Sequence, residues 1–147
     1  MEHIGKYTKY GFVKELYYTI EHSWAKVMPD GSARIGITDF AQKSLGPIIG
    51  LELPKKNDAI VQMASFGAIE SSKIVSDLYA PLSGIVKEVN RNLFDDPELI
   101  NLDPFGDGWI IDISPDNLEE ELEKLMSGDA AIKWIRGEVE NTGEPVS

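Results

Sequence analysis

The side chain best placed to do chemistry in this sequence is an amine. Lys73 lies in Gly67-Ala68-Ile69-Glu70-Ser71-Ser72-Lys73-Ile74-Val75-Ser76-Asp77-Leu78-Tyr79-Ala80-Pro81-Leu82-Ser83-Gly84. Apolar strand-like arms lead into and out of Ser71-Ser72-Lys73, a pattern that predicts a β-hairpin with the lysine at its tip. A sheet would hold such a lysine rigidly by its backbone while its ammonium projects into solvent, open to a modifying enzyme from every side. For an arbitrary hairpin the ordinary reading is a solubilising turn lysine. Glu70, by itself, reads as a solvated strand-end carboxylate, and Gly84 as a turn glycine whose conformational freedom also fixes local shape.

No other nucleophile competes for attention. The chain has no cysteine, which removes disulfides, thiolate metal ligation and a thiol nucleophile together. Any sulfur or redox chemistry must therefore use an imported group. The only histidines are His3 and His22, too few for a histidine-rich metal site. His22 and Trp24 read as structural, a hydrogen-bonded imidazole and a core aromatic.

The elements that must position Lys73 come from a chain of 147 residues, 42% hydrophobic and 27% charged, enough for one globular domain with a packed core. Fourteen basic residues against 25 carboxylates leave a net charge of −11. Such a surface repels phosphate, so nucleic acid and anionic membranes are expected to be poor partners. The apolar runs are too short for a membrane span, and Met1 to Lys6 lack an export signal's apolar stretch, so a cytoplasmic protein is expected.

The first half turns often and reads as antiparallel strands. Tyr17 to Ile20, His22 to Val27 and Ala33 to Ile37 are strand candidates, with Met28-Pro29-Asp30-Gly31 as a hairpin turn. Thr38 to Gly46 reads as a short helix, capped by Thr38 and released by Gly46. Ile48 to Leu53 follows as a strand. Ala59 to Glu70 and Ile74 to Tyr79 are predicted to pair around the Lys73 tip, then come Ile85 to Val89 and Trp109 to Ile113, with residues 90–108 irregular. A C-terminal helix is expected from Ser114-Pro115, with Leu118, Leu122, Leu125 and Met126 as its apolar stripe and Gly128 at its end. Ala130 to Arg136 adds a further turn or two, and Glu138 to Ser147 reads as a frayed acidic tail.

The Lys73 segment resembles the lipoyl-attachment segment of glycine cleavage H proteins, which typically reads Gly-x-Val-Glu-Ser-Val-Lys-Ala-x-Ser-Asp-x-Tyr-x-Pro-x-Ser-Gly. Further pieces fall in family order between Tyr17 and Met126: Tyr18-Thr19 with His22-x-Trp24, Gly36-Ile37-Thr38-Asp39, Ala41-Gln42, Leu45-Gly46, Glu52-Leu53-Pro54, Asn101-x-Asp103-Pro104-Phe105 and Gly106-x-Gly108-Trp109. Each piece alone is weak; their shared order is specific.

The resemblance implies a mainly β fold, a barrel-sandwich hybrid of the lipoyl/biotinyl type. Its antiparallel sheets would be joined by a short internal helix and a C-terminal helix. It implies one carrier domain over residues 1–137, with an N-terminal extension at 1–16, a helical part at 114–137 and a flexible acidic tail at 138–147. Lys73 would carry lipoate as N6-lipoyllysine, with Glu70, Ser72, Asp77 and Gly84 around it. Ser72 and Ile74 beside the lysine favour lipoyl over biotin, whose carriers prefer flanking methionines. The chain would be a non-catalytic, monomeric carrier, with a lipoate ligase or lipoyl synthase as its modifying partner, its arm visiting successive enzymes at high effective concentration.

Two departures bear on cargo and a third on lipoylation. Where the family usually has His-Glu-Trp, this chain has His22-Ser23-Trp24, and Phe40 replaces a histidine after Thr38-Asp39. Both exchanges remove polarity from the expected arm cleft, while Asp77 is retained. Asn57 stands where many relatives have glycine, sixteen residues before Lys73. The two losses of polarity lean the reading toward an H-like lipoate-binding protein of a sulfur-oxidising, heterodisulfide-reductase-like system, while Asn57 bears on recognition by the lipoylating machinery. The alternative is a glycine cleavage H protein that serves the P, T and L proteins, the last a dihydrolipoyl dehydrogenase.

Overall fold

Short polar signals fix where the chain reverses. At Asp30-Gly31, Gly31 takes φ +88°, and the Ser32 N–H and hydroxyl both donate to Asp30 Oδ1, at 2.9 and 2.6 Å. The computed structural model describes residues 5–6 and 9–142. A small pair, β1 (Gly5–Lys6) and β2 (Gly11–Phe12), opens the chain. Next come β3 (Tyr17–Tyr18), β4 (Ser23–Val27), β5 (Ala33–Ile37) and helix α1 (Asp39–Leu45). Then follow β6 (Ile48–Glu52), β7 (Ala59–Ile60), β8 (Ser65–Ser71), β9 (Val75–Tyr79) and β10 (Gly84–Val89). The short helices α2 (Asn92–Asp95) and α3 (Leu99–Leu102) lead to β11 (Ile111–Pro115), α4 (Leu118–Leu122) and α5 (Gly128–Asn141).

Two antiparallel sheets form the body. One has six strands in the order β3-β4-β5-β11-β10-β7, and the other has three, β6-β8-β9. Strand alternation turns one face of each toward a shared core: Ala33, Ile35 and Ile37 from β5 pack with Ile48, Ile69 and Leu78 of the smaller sheet. Arg34, on the opposite face of β5, donates to Asp112 on β11 at 2.9 and 3.1 Å and covers the Trp109 ring. Neither sheet closes on itself, and the expected antiparallel sandwich with short helices and a C-terminal helix is what the chain forms.

Several boundaries differ from the sequence reading. The arm expected over Ala59 to Glu70 splits, with β7 joining the larger sheet and β8 the smaller. Ser114 and Pro115 do not start a helix; they extend β11 and pair with Ile85 and Gly84. The leucine stripe makes only the five-residue α4. The long C-terminal helix is α5, whose Ala131, Ile135 and Val139 are buried, so the tail boundary expected at residue 138 falls inside a helix that runs to Asn141. Residues 143–147 of that tail lie outside the described residues. The N-terminal extension is also integral: Phe12, Val13 and Leu16 pack with Tyr18, Trp24, Phe105 and Ile135 in a second core.

Candidate functional site

The tip expected around Lys73 is there, and its shape comes from Ser71. The buried Ser71 hydroxyl oxygen accepts from the Lys73 and Ile74 N–H groups at 3.1 and 3.2 Å. The Ser71 N–H donates to the Ile74 carbonyl at 2.8 Å, and the Ser72 N–H donates to the Pro47 carbonyl at 3.0 Å. The apex is thus tied to its own ribbon and to the corner between α1 and β6. Lys73 is exposed at that apex, and among the described residues it has no ion-pair partner.

Gly46 supports the lysine stem. It ends α1 at φ +86°, a region that favours glycine. A Cβ there would lie 3.1 Å from Lys73 Cε and 3.7 Å from Nζ. Asn101, on α3, fixes this corner from beneath. Its amide donates to the Gly46 carbonyl at 2.9 Å and to Gln42 Oε1 at 2.8 Å, and its oxygen accepts from the Ile48 N–H at 2.9 Å. Gln42 in turn donates to Asp39 Oδ1 at 2.7 Å, and Asp39 Oδ2 accepts from the Gly11 N–H at 2.8 Å. Buried polar groups need such partners, and this chain of them connects the N-terminal segment to the platform under Lys73.

Beside the ribbon lies a cleft of about 180 Å³ between β9 and α1. Phe40, Leu45, Ile69 and Leu78 give it apolar walls, and Glu21, Ser76 and Asp77 give it a polar rim. Asp77 is four residues from Lys73, roughly 13 Å along an extended strand. That span suits a lysine stem lengthened by a flexible acyl chain, with an apolar end group entering the walls. The donor set therefore fits lipoate: a free amine to acylate, an apolar shelter for a dithiolane and carboxylates at its mouth.

The other expected site residues separate. Glu70 is exposed on the outer face of the smaller sheet, paired across with Val75 and Gly50, and its carboxylate runs over Gly50, which has no side chain to block it. Ser72 contributes its backbone N–H, whereas the turn-forming hydroxyl belongs to Ser71. Gly84 is not brought to the tip. It lies at the far end of the ribbon on β10, where a Cβ would come 2.3 Å from the Ser114 carbonyl oxygen; its absent side chain lets β10 and β11 approach. The residues missed by the sequence reading are Ser71, Gly46, Asn101 and Glu21. Ser71 carried a local signal, two residues before the lysine, and Gly46 was legible as a helix exit but not as support for the arm.

The family model described as glycine cleavage H-protein matches residues 16–138. This chain belongs to the glycine cleavage H-protein family. It is 47% identical over 137 residues to the probable glycine cleavage system H protein of Pyrococcus abyssi, covering 92% of this chain and 98% of that one. To the glycine cleavage system H protein of Carboxydothermus hydrogenoformans it is 50% identical over 128 residues, covering 86% and 96%. A crystal structure of the glycine cleavage system H protein of Mycobacterium marinum superposes with TM-score 0.74 at 34% identity, covering 90% of this chain and 99% of that one. H-protein family members are lipoyl carrier subunits rather than catalysts, with the lipoyl group on a lysine and the P, T and L proteins as partners.

The departures from the H-protein pattern have structural explanations. Ser23 is 2% exposed, and its hydroxyl donates to the Tyr79 carbonyl at 2.5 Å, joining β4 to the end of β9. It is not among the cleft's lining residues; Glu21, two positions earlier, is. Phe40 stacks on His22 with ring centroids 4.7 Å apart and 14° between planes, and it meets Tyr10 at 5.1 Å. Its exchange for a polar ring serves this aromatic cluster. Asn57 adopts φ +79°, so the left-handed turn that glycine would make survives. Among the described residues no group of His, Asp or Glu could hold a metal ion, and no helix is long and apolar enough to cross a membrane.

Proposed function

We propose that this chain is the lipoyl carrier of a glycine-cleaving system, with Lys73 as the attachment point and the cleft between β9 and α1 as the shelter for the loaded arm. The observation that carries the reading is the Lys73 amine, exposed at a doubly anchored β-ribbon apex and free of any ion pair among the described residues. Bound through an amide, lipoate supplies a disulfide that can accept electrons and a one-carbon aminomethyl unit and later be reoxidised.

This chain's residues do the rest. Ser71 and the Gly46 corner hold the arm's root, and Phe40, Leu45, Ile69 and Leu78 exclude water from its end. Glu21 and Asp77 at the rim attract a protonated amine. That supports an aminomethyl cargo, so the charge lost at Ser23 is carried by Glu21 instead. The sulfur-oxidising reading rested on Ser23 and Phe40. Both have packing roles here, and the relatives' names favour the glycine alternative.

Two measurements test this. Intact mass after incubation with lipoate, ATP and a lipoate ligase should gain one lipoyl increment that Lys73→Arg abolishes; an unmodified wild-type mass sinks the attachment. With the P protein, the lipoylated chain should support glycine–bicarbonate exchange. Glu21→Gln with Asp77→Asn should lower exchange about tenfold or more, since two charge-assisted contacts are removed. A lipoylated chain inert with glycine would remove the glycine reading.

A further inference from the structure

Around Lys73 the surface is apolar where a solvated tip would be expected to be polar. Ile49, Ile74 and Val75 are 56, 54 and 67% exposed, and Pro47 is exposed beside them. Their placement is built in. The β6–β8 pairing shifts register between Ile48 and Gly50, a bulge that turns Ile49 outward. The Ser72–Pro47 and Ser71–Ile74 backbone bonds hold the other members at the apex. The four lie about the amine on a face where Glu52, Glu70 and Asp77 have no ion-pair partner among the described residues, and Lys43, which borders it beside Pro47, is paired with Asp39 at 3.1 Å.

We infer that Pro47, Ile49, Ile74 and Val75 form a sealing collar for the enzyme that acylates Lys73, a ligase that presents the acyl group as an acyl-adenylate. This rests on the attachment proposed above. In the step, the neutral Lys73 Nζ attacks the acyl carbon, a C–N bond forms, and the C–O bond to phosphate breaks with release of AMP. The amine's proton leaves to a base or to water, and nothing is oxidised or reduced. Water competes as nucleophile for the same carbon, so the joint around the lysine must be dry. A ring of apolar side chains provides that at little electrostatic cost. The adenylate phosphate also requires cationic groups near the ligase's mouth, and the anionic row behind the collar complements them. The occupant is therefore the acyl-adenylate enzyme, because acylation is the step whose reacting atom is the Lys73 Nζ at this apex, whereas a downstream partner acts at the far end of the arm.

The test compares wild type with Ile49→Ser/Ile74→Ser/Val75→Ser, and with Ile74→Thr alone should the triple variant not fold. A lipoate–protein ligase, lipoate and ATP are supplied, and the amide formed and the AMP released are measured together. The collar predicts that kcat/KM for amide formation falls about tenfold in the triple variant and that AMP released per amide formed rises, because water intercepts the adenylate. Ile74→Thr should show the same ratio change to a smaller degree. Equal kcat/KM and an equal AMP-to-amide ratio in variant and wild type overturn the collar alone. Normal acylation with lost glycine exchange also overturns it, since the patch would then serve a downstream enzyme. No acyl increment on wild type overturns the attachment itself and the collar with it.

Discussion

Gly46 and His22 show how much of this site depends on backbone conformations that most side chains avoid. Gly46→Ala would place a methyl group 3.1 Å from Lys73 Cε at φ +86°. The expected cost is about 1–3 kcal/mol of strain, with a slower acylation of Lys73, measurable by thermal melting and by the rate of mass gain. An alanine variant that melts and reacts like wild type would deny Gly46 its supporting role. His22 sits at φ +69°. Its Nδ1 meets Thr38 Oγ1 and its Nε2 meets Glu138 Oε1, each at 2.9 Å, and Phe40 and Trp134 pack on the ring. Burial lowers its pKa from the ordinary value, outweighing the hydrogen bond that Nε2 donates to Glu138 and the nearby charges of Glu138 and Glu21. The neutral ring is thus favoured in the folded state, and the unfolded chain binds the extra proton first. Stability from this group should be complete above the unfolded value near pH 6.5 and decline as pH falls through the lowered folded value. Melting curves from pH 7.5 to 5 should show this decline in wild type and a shallower one in His22→Gln; parallel curves would contradict it.

Among the elements, those that could be read in the sequence were those whose signals are local. The Asp30-Gly31 turn, the Thr38 cap, the Gly46 exit and the ribbon around Lys73 all follow from residues within a few positions of one another. The misread elements depended on distant partners. Ser114-Pro115 resembles a helix start, but β10 offers a pairing edge, and Gly84 is small enough to let it be used. Glu121, in a run of glutamates that by itself suggests solvated helix surface, is buried and accepts from the Ser83 N–H and hydroxyl at 2.7 Å each, which fixes where α4 lies. The reach of α5 to Asn141 depends on the groove that covers Ala131, Ile135 and Val139, together with the His22–Glu138 contact. Ile135→Ala should accordingly destabilise by about 2–4 kcal/mol, checked by urea unfolding; a loss under about 0.5 kcal/mol, as at a surface position, would mean that α5 is not part of the core. The platform was invisible for the same reason. Asn101 is 28 residues beyond Lys73 in a segment read as irregular, and only the folded chain brings it under Gly46.

For the molecule as a whole, the net charge of −11 becomes the dominant long-range feature once the arm is attached. Acylation removes one of the 14 positive charges, and 13 − 25 = −12. The loss falls on the face where Glu52, Glu70 and Asp77 are exposed and outside any ion pair among the described residues, so the loaded carrier presents an apolar tip on a face of net negative charge. Such a field steers encounter with enzymes whose entrances are cationic, and salt screens it over a Debye length of about 10 Å at 0.1 M and about 3 Å at 1 M. In glycine–bicarbonate exchange, the KM for the lipoylated chain should therefore rise several-fold between low and high salt. The kcat should stay nearly constant, because chemistry within the partner's site is shielded from bulk ions. Glu52→Gln with Glu70→Gln should raise KM at low salt and flatten the dependence, since these charges supply part of the attraction without touching the cleft. A KM indifferent to salt, or a kcat that carries the whole effect, would place recognition in short-range contacts at the apex and leave the acidic surface with solubility as its only consequence.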